Sequence, residues 1–106
     1  MNLYFNKKYE CDNNIDYEIY DGDCNIGSLN ITHHDEYLFI RHIRINENLR
    51  GLGYATLVMD YVLEYYQLPV RLCVNHNESA KGFWENYFKE KNVKRDRGSI
   101  YTIYVS

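Results

Sequence analysis

Between Ile15 and Ile45, hydrophobic and polar residues alternate with the two-residue period that is typical of β-strands. Turn-forming residues interrupt this alternation at Asp21-Gly22-Asp23 and again at residues 33–36. The pattern therefore predicts three strands, near residues 16–20, 25–32 and 37–45.

The third predicted strand has hydrophobic residues on both of its sides. Strict alternation places Phe39, Ile43 and Ile45 on one side, and Leu38 and Ile40 on the other. A strand that is hydrophobic on both sides is typical of the centre of a sheet with both faces covered. We therefore expect a central strand here.

The hydrophobic period then changes from two to 3.6, which predicts two helices. The first has the hydrophobic positions Ala55, Val58, Met59, Val62 and Tyr66, and it ends before Leu68-Pro69. The second has the hydrophobic positions Ala80, Phe83, Trp84, Tyr87 and Phe88.

Two more strands complete the predicted order. Residues 70–74 form a short hydrophobic run after the first helix, which predicts a strand-helix-strand crossover with parallel pairing. Residues 100–105 are predicted to form the last strand. Residues 89–97 are polar and mostly basic, and we expect them to form a solvated loop.

Composition indicates a single globular domain. The chain has 106 residues, of which 45% are hydrophobic and 25% charged. A net charge of −3 argues against the basic surface on which nucleic-acid binding depends. The three cysteines, Cys11, Cys24 and Cys73, lack the paired spacing of a disulfide framework or a zinc site, so we expect free thiols and no metal.

The sequence also contains no hydrophobic run long enough to cross a bilayer, and residues 1–8 lack the hydrophobic stretch of a signal peptide. We therefore expect a cytoplasmic protein that binds neither membranes nor nucleic acids.

Candidate chemistry lies in the turn between the central strand and the first helix, at residues 48–55. Glycines at Gly51 and Gly53 permit unusual backbone dihedrals and close approach of a ligand. A helix N-terminus presents unpaired N–H groups and a partial positive charge, and Arg50 adds further donors. The turn is therefore suited to binding a phosphate or a diphosphate.

Two common phosphate-binding motifs do not fit this turn. A P-loop requires Lys followed by Ser or Thr, and the turn contains neither pair. A dinucleotide-binding fingerprint does not fit either, because Thr56 stands where a small residue is needed after the glycines. The next strand also leads to Asn75 instead of an acidic residue.

The turn matches the R-x-x-G-x-A signature of the GNAT N-acetyltransferase superfamily, with Arg50, Gly53 and Ala55 at the defined positions. A second motif of that family, N-x-x-A at the start of an aromatic helix, resembles Asn77 to Ala80. The two motifs occur in the family's order, and the resemblance covers roughly residues 37–88. Residues 1–14 match nothing in the family, and its usual N-terminal helices have no counterpart.

The resemblance implies an α+β fold with a mixed, mostly antiparallel sheet and a central strand-helix-strand crossover. The expected order is strand, strand, strand, helix, strand, helix, strand. It also implies acetyl-CoA as acetyl donor and an amine, of a protein or a small molecule, as acceptor. A homodimer partner or a large protein substrate would have to complete the acceptor site in the absence of the N-terminal helices.

By the same resemblance, the diphosphate of acetyl-CoA would meet the turn, and its pantetheine would pair with the preceding strand and contact a helix-opening asparagine. The cofactor-binding residues implied in this way are Ile43, Arg44, Ile45, Arg50, Gly51, Leu52, Gly53, Tyr54, Ala55 and Asn77.

The chemistry requires a base, because amines such as that of lysine are largely protonated at neutral pH. Glu36 stands where several family members carry a glutamate base, and His42 lies within the central strand. A solvated turn residue and a structural histidine are the competing interpretations.

The family's usual acid, a tyrosine four residues after the motif alanine, is replaced by Trp84, whose indole N–H only donates hydrogen bonds. Tyr87 is the candidate to replace that tyrosine, although its spacing equally suits core packing. Loss of the usual acid also leaves an alternative function open, that of a non-catalytic acyl-CoA-binding module that acts through protein contacts.

Overall fold

The computed structural model describes residues 2–74 and 81–105. The elements are, in chain order, β1 Leu3–Cys11, β2 Asn14–Asp21, β3 Cys24–His33, β4 Leu38–Ile45, α1 Tyr54–Tyr66, β5 Val70–Cys73, α2 Lys81–Phe88, β6 Asn92–Arg97 and β7 Ile100–Tyr104. A short 3-10 helix, Glu47–Leu49, lies between β4 and α1.

The strands form one seven-stranded sheet in the order β1-β2-β3-β4-β5-β7-β6. All neighbouring pairs are antiparallel except β4 and β5, which are parallel and are connected through α1. The α+β fold class, the mostly antiparallel sheet and the central crossover are therefore confirmed.

Two strands, β1 and β6, lie beyond the predicted order, and both are edge strands. The expectation of a loop at residues 89–97 is wrong over Asn92–Arg97. Only Leu3 and Phe5 in β1 and only Val93 in β6 are partly buried, and the other residues of both strands are exposed. An edge strand that buries so little keeps polar residues on both faces, so its sequence resembles that of a loop.

A β-bulge in β4 changes which of its residues share a face. Asn30 of β3 pairs with His42, whereas the next residue, Ile31, pairs with Ile40, so Arg41 is the extra residue. Leu29 pairs with Ile43 on the same face as the Ile31 and Ile40 pair. The hydrophobic residues of β4 other than Phe39 therefore lie on one face, and the prediction that they divide between two faces is wrong.

Both helices pack on that hydrophobic face, which we call the helix face. Tyr61 of α1 contacts Phe5, with ring centroids 4.6 Å apart, and Phe88 of α2 contacts Tyr101 at 5.0 Å. The buried core between the helices and the sheet consists of Ile15, Ile19, Ile26, Leu29, Ile31, Leu38, Ile40, Ile45, Val58, Met59, Val62, Val70, Leu72, Val74, Trp84, Tyr87 and Ile103.

The opposite face, which we call the open face, carries neither of these helices. In-register rows there are mostly polar, such as Asp16, Asn30 and His42 across β2, β3 and β4. The expectation that both faces of β4 are covered does not hold for the described part of the chain.

Candidate active site

The turn that follows the 3-10 helix has a backbone conformation that favours glycine. Gly51 and Gly53 have φ angles of 82° and 87°, and Gly53 is the residue that precedes α1. A Cβ atom added at either glycine would meet no atom within 4 Å. The space beside the turn is therefore open to a ligand. We call residues 50–55 the glycine turn.

The N-terminus of α1 presents unpaired hydrogen-bond donors at this turn. The first helical hydrogen bond runs from the N–H of Leu57 to the carbonyl oxygen of Gly53, at 3.2 Å. The backbone N–H groups of residues 51–56 donate to no acceptor among residues 2–74 and 81–105. The first turn of α1 also contains no acidic residue. The end of the helix is thus an electropositive group of donors suited to an anion.

Hydrogen bonds from two side chains fix the glycine turn to the sheet. Arg50 donates from Nε to the carbonyl oxygen of Ile45 at 3.1 Å, and the Tyr54 hydroxyl donates to Oδ2 of Asp21 at 2.9 Å. The pKa of the Asp21 carboxyl is lowered, first by the backbone N–H of Asn2 and then by Tyr54. The bond to Asp21 in turn raises the pKa of the Tyr54 hydroxyl.

Within the described residues, the parallel pairing of β4 with β5 extends over only the first part of β4. Parallel pairing of the two strands is found from Leu38 with Val70 to Ile40 with Leu72, whereas β4 continues to Ile45. In the described part of the chain, residues 43–45 pair with β3 only. These are the residues predicted to pair with pantetheine, and the carbonyl oxygen of Ile45 already accepts the hydrogen bond from Arg50. Asn77, the other predicted contact, lies outside the described residues.

The contact between β3 and this segment is unusually close. A Cβ atom added at Gly27 would lie 2.0 Å from the carbonyl oxygen of Arg44. Only glycine permits the two backbones to approach in this way. Gly27 therefore sets the path of the segment that is predicted to meet pantetheine.

The structure places the two candidate bases at different ends of β4. His42 is exposed on the open face beside the bulge, and its Nε2 lies 3.3 Å from the Ser28 hydroxyl. Glu36 is exposed in the bend before β4, at the end of the strand opposite the glycine turn. The structure therefore does not bring Glu36 to the segment at residues 43–45.

Tyr87 is buried between the two helices, at 6% exposure. Its hydroxyl donates to Oδ1 of Asp60 at 2.7 Å, and Nζ of Lys91 lies 3.1 Å from the same oxygen. Burial raises the pKa of the Tyr87 hydroxyl, and the bond to Asp60 raises it further. The hydroxyl therefore keeps its proton, which it donates in the bond to Asp60. Trp84 is likewise buried in the core.

A groove on the open face brings His42 together with residues that the sequence did not single out. Its volume is about 530 Å³. The side chains that line it include Lys8, Asp16, Glu18, Asn25, Ser28, His42 and Asn46. We call it the sheet-face groove. Polar residues at alternate positions of β2 are the only sequence signal for it, because the rest depends on strand register.

No group of three or more His, Cys, Asp or Glu side chains in residues 2–74 and 81–105 could hold a metal ion. Neither described helix is long and apolar enough to cross a membrane.

Solved structures with the same fold include several acetyltransferases. A protein of Bacteroides thetaiotaomicron assigned to the GNAT family has a TM-score of 0.67 and 19% identity, over 89% of this chain and 62% of that one. GCN5 of Tetrahymena has a TM-score of 0.67 and 13% identity, over 91% of this chain and 71% of its own. This chain thus spans less than two thirds of the Bacteroides protein.

An acetyltransferase of Bacillus subtilis, solved in complex with CoA, matches over 99% of both chains, with a TM-score of 0.64 and 10% identity. At these identities the likeness establishes the fold. No curated protein matches the chain in sequence.

The sequence itself matches a family model, that of the acetyltransferase (GNAT) family, over residues 3–89. The match begins in β1, so the expectation that residues 1–14 resemble nothing in the family is wrong from residue 3 onwards. Because the match covers most of the chain, we conclude that this protein belongs to the GNAT acetyltransferase family.

Proposed function

We propose that this chain is an acetyl-CoA-dependent N-acetyltransferase, which moves the acetyl group directly to an amine in a ternary complex. The observation that carries the proposal is the group of N–H donors at residues 51–56 that meet no acceptor among the described residues, close in sequence to a strand segment that pairs there with β3 alone. A molecule with a diphosphate joined to an extended amide chain would satisfy both features at once.

The residues present fit such a molecule. The N–H groups of the glycine turn and the exposed Arg50 supply donors for the diphosphate, and no carboxylate stands in the first turn of α1 to oppose it. At Ile43, Arg44 and Ile45, an amide-bearing chain would pair as an added strand with the backbone groups that are not bonded to β3 or, at the Ile45 carbonyl oxygen, to Arg50. The contact from Asn77 remains a prediction.

Acetyl-CoA would supply a reactive thioester. In the transfer, a neutral amine nitrogen forms a bond to the carbonyl carbon, the carbon–sulfur bond breaks, and the amine loses a proton while the thiolate gains one. The protein has to hold the two reactants together and accept the amine proton. Positioning alone supplies a large part of the rate in reactions of this type.

We assign the base role to His42. It lies on β4 one residue before the segment at residues 43–45, is exposed, and is oriented by the Ser28 hydroxyl at 3.3 Å. Replacement of His42 by Gln should lower the rate of acetyl transfer and leave CoA affinity unchanged. An unchanged rate would exclude His42 as base.

One observation favours the alternative, a non-catalytic acyl-CoA-binding module. The Tyr87 hydroxyl is hydrogen-bonded to Asp60, and Trp84 occupies the position of the family's usual acid, so neither supplies an evident proton for the thiolate. In an open site, water can supply that proton, and for this reason we prefer the enzyme.

Two measurements separate these possibilities. Isothermal calorimetry with CoA tests the cofactor site, and release of free CoA from acetyl-CoA in the presence of amines, followed by chromatography, tests turnover. Chromatography avoids a background from Cys11, Cys24 and Cys73, which are exposed free thiols. Binding with amine-dependent release supports the enzyme, and binding without release supports the module. Absence of CoA binding would overturn both.

A further inference from the structure

The sheet-face groove is not used by the proposed cofactor contacts. Its volume of about 530 Å³ lies within the range of sites that bind small molecules. His42 and Asn46 line the groove, and these two residues flank the segment at residues 43–45. The groove therefore lies alongside the strand to which we assign the pantetheine.

The position of the glycine turn fixes the direction of the cofactor along this strand. The turn follows the C-terminal end of β4, so a diphosphate bound there places the thioester towards the preceding residues, at the bulge formed by Arg41. His42 is next to the bulge and faces the groove. The groove thus opens at the place where the acceptor nitrogen has to arrive.

We propose that the sheet-face groove binds the acceptor, and that this acceptor is a linear alkyl diamine. Its reacting amine lies at His42, and its second ammonium group is bound by Asp16. This inference rests on the proposed function of the same site and deepens it by naming the class of substrate.

The register of the strands supports this arrangement. Asp16 pairs with Asn30, and Asn30 pairs with His42, so the three side chains form one row across the open face. Neighbouring strands are about 4.8 Å apart, which places Asp16 and His42 roughly 10 Å from each other. A short alkyl chain with an amine at each end can span that separation.

The polar side chains of the groove are held in place before any ligand binds. Asn30 donates from Nδ2 to the Asp16 carboxylate, and Asn25 donates from Nδ2 to the Glu18 carboxylate at 3.0 Å. The orientation of both carboxylates is therefore set by the protein, which reduces the cost of ordering them around a ligand.

The charges of the groove favour a cation near Asp16. Asp16 and Glu18 lie two residues apart on the same face of β2, so their negative charges repel each other. None of the ion pairs found among residues 2–74 and 81–105 involves either of them. A bound ammonium group would relieve this repulsion. Lys8, which also lines the groove, opposes the binding of a cation.

The test compares two acceptors of nearly equal length, 1,4-diaminobutane and 1-aminopentane, which differ in having an ammonium or a methyl group at the far end. We expect kcat/KM to be at least tenfold higher for the diamine. Asp16→Asn should abolish most of that preference, because asparagine still bonds to Asn30 but carries no charge. Lys8→Gln should increase it.

Glu64→Gln, on the exposed surface of α1 outside the groove, is the matched control and should retain the preference. A peptide with two adjacent lysines, compared with one in which glutamate replaces the second, determines whether the same recognition extends to proteins. Equal kcat/KM values for the two small amines, or an unchanged preference in Asp16→Asn, would overturn the inference.

Calorimetry with 1,4-diaminobutane keeps this test independent of turnover. Binding of the diamine to the wild type that weakens at least tenfold in Asp16→Asn supports the groove even if no acetyl group is transferred. If CoA binds but the diamine does not, the inference fails and the proposed cofactor site stands. If CoA does not bind, the proposed function fails, and diamine binding to the free protein still decides whether the groove is a site.

Discussion

The hydroxyl of Tyr54 donates a hydrogen bond to Oδ2 of Asp21 at 2.9 Å, and this bond joins the start of α1 to the last residue of β2. The other oxygen of Asp21 accepts the backbone N–H of Asn2 at 3.0 Å. One carboxylate thus connects β1, β2 and the glycine turn. The sheet and the proposed diphosphate site are coupled through it.

Tyr54→Phe should weaken CoA binding, because the glycine turn loses one of its two side-chain anchors. A hydrogen bond of this kind contributes about 1 kcal/mol, so the dissociation constant should rise by up to about fivefold. Calorimetry measures the change. Tyr65→Phe, at an exposed position on the same helix, is the control and should bind CoA as the wild type does. Equal affinity in all three proteins would show that the bond does not position the turn.

Asp21 should make the stability of the fold depend on pH in acid. Its pKa is lowered below the ordinary value of 3.8 by Asn2 and Tyr54. A carboxyl whose pKa is lowered on folding stabilises the fold above its ordinary pKa, and this contribution is lost as the pH falls through the lowered value. The free energy of unfolding of Asp21→Asn should therefore vary less below about pH 4 than that of the wild type. Parallel pH profiles from urea denaturation would contradict this.

Gly53→Asp should abolish most of the CoA binding. Its carboxylate would stand at the N-terminus of α1 and repel the diphosphate. Gly53→Asn is the matched control, because asparagine has nearly the same shape and tolerates the same positive φ but carries no charge. We expect the affinity of the Asp variant to be at least tenfold lower than that of the Asn variant. Equal affinities would place the diphosphate elsewhere.

Gly27→Ala should destabilise the protein, since the new methyl group would lie 2.0 Å from the carbonyl oxygen of Arg44. Forced contacts of this kind cost about 1–3 kcal/mol. Gly82→Ala is the control, because its methyl group would meet nothing within 4 Å and alanine favours helices. Thermal unfolding should show a lower Tm for the first variant and an equal or higher Tm for the second. An unchanged Tm in Gly27→Ala would mean that β3 and β4 adapt freely.

Tyr87→Phe should affect stability and leave catalysis intact. The substitution removes the hydrogen bond to Asp60, which should lower the free energy of unfolding by about 1 kcal/mol. Because the Tyr87 hydroxyl donates its proton in the bond to Asp60, we expect the rate of CoA release to be unchanged at saturating substrates. A large loss of rate with normal CoA affinity would identify Tyr87 as the acid after all.

The sequence predicted the parts of the fold whose hydrophobic pattern is produced by burial on one side. The stripe of α1 and the short hydrophobic β5 belong to this class, and both were located correctly. The edge strands β1 and β6 were not, because they bury few residues. The bulge at Arg41 reversed the alternation within β4, and nothing in the residue types of that strand indicates an inserted residue.

The candidate site likewise has one part that the local sequence predicts and another part that it does not. The glycine turn is contiguous in sequence, so its conformation could be predicted from Gly51 and Gly53 before the structure was known. The sheet-face groove joins Asp16, Ser28 and His42 from three strands, and their proximity depends on a register that local patterns do not specify. Sequence reasoning therefore predicts the proposed donor site from contiguous residues, and of the three groove residues it singled out His42 alone.

The two residues between β1 and β2, Asp12 and Asn13, are both exposed, and Asp12 already has a positive φ of 55°. Exposed turn tips of this kind accept inserted segments without loss of the fold. A peptide inserted there would start at the edge of the open face and could be designed to cover it. Because neither described helix covers the open face, this protein is a starting scaffold on which new acceptor sites could be built while the strand assigned to the pantetheine is left untouched.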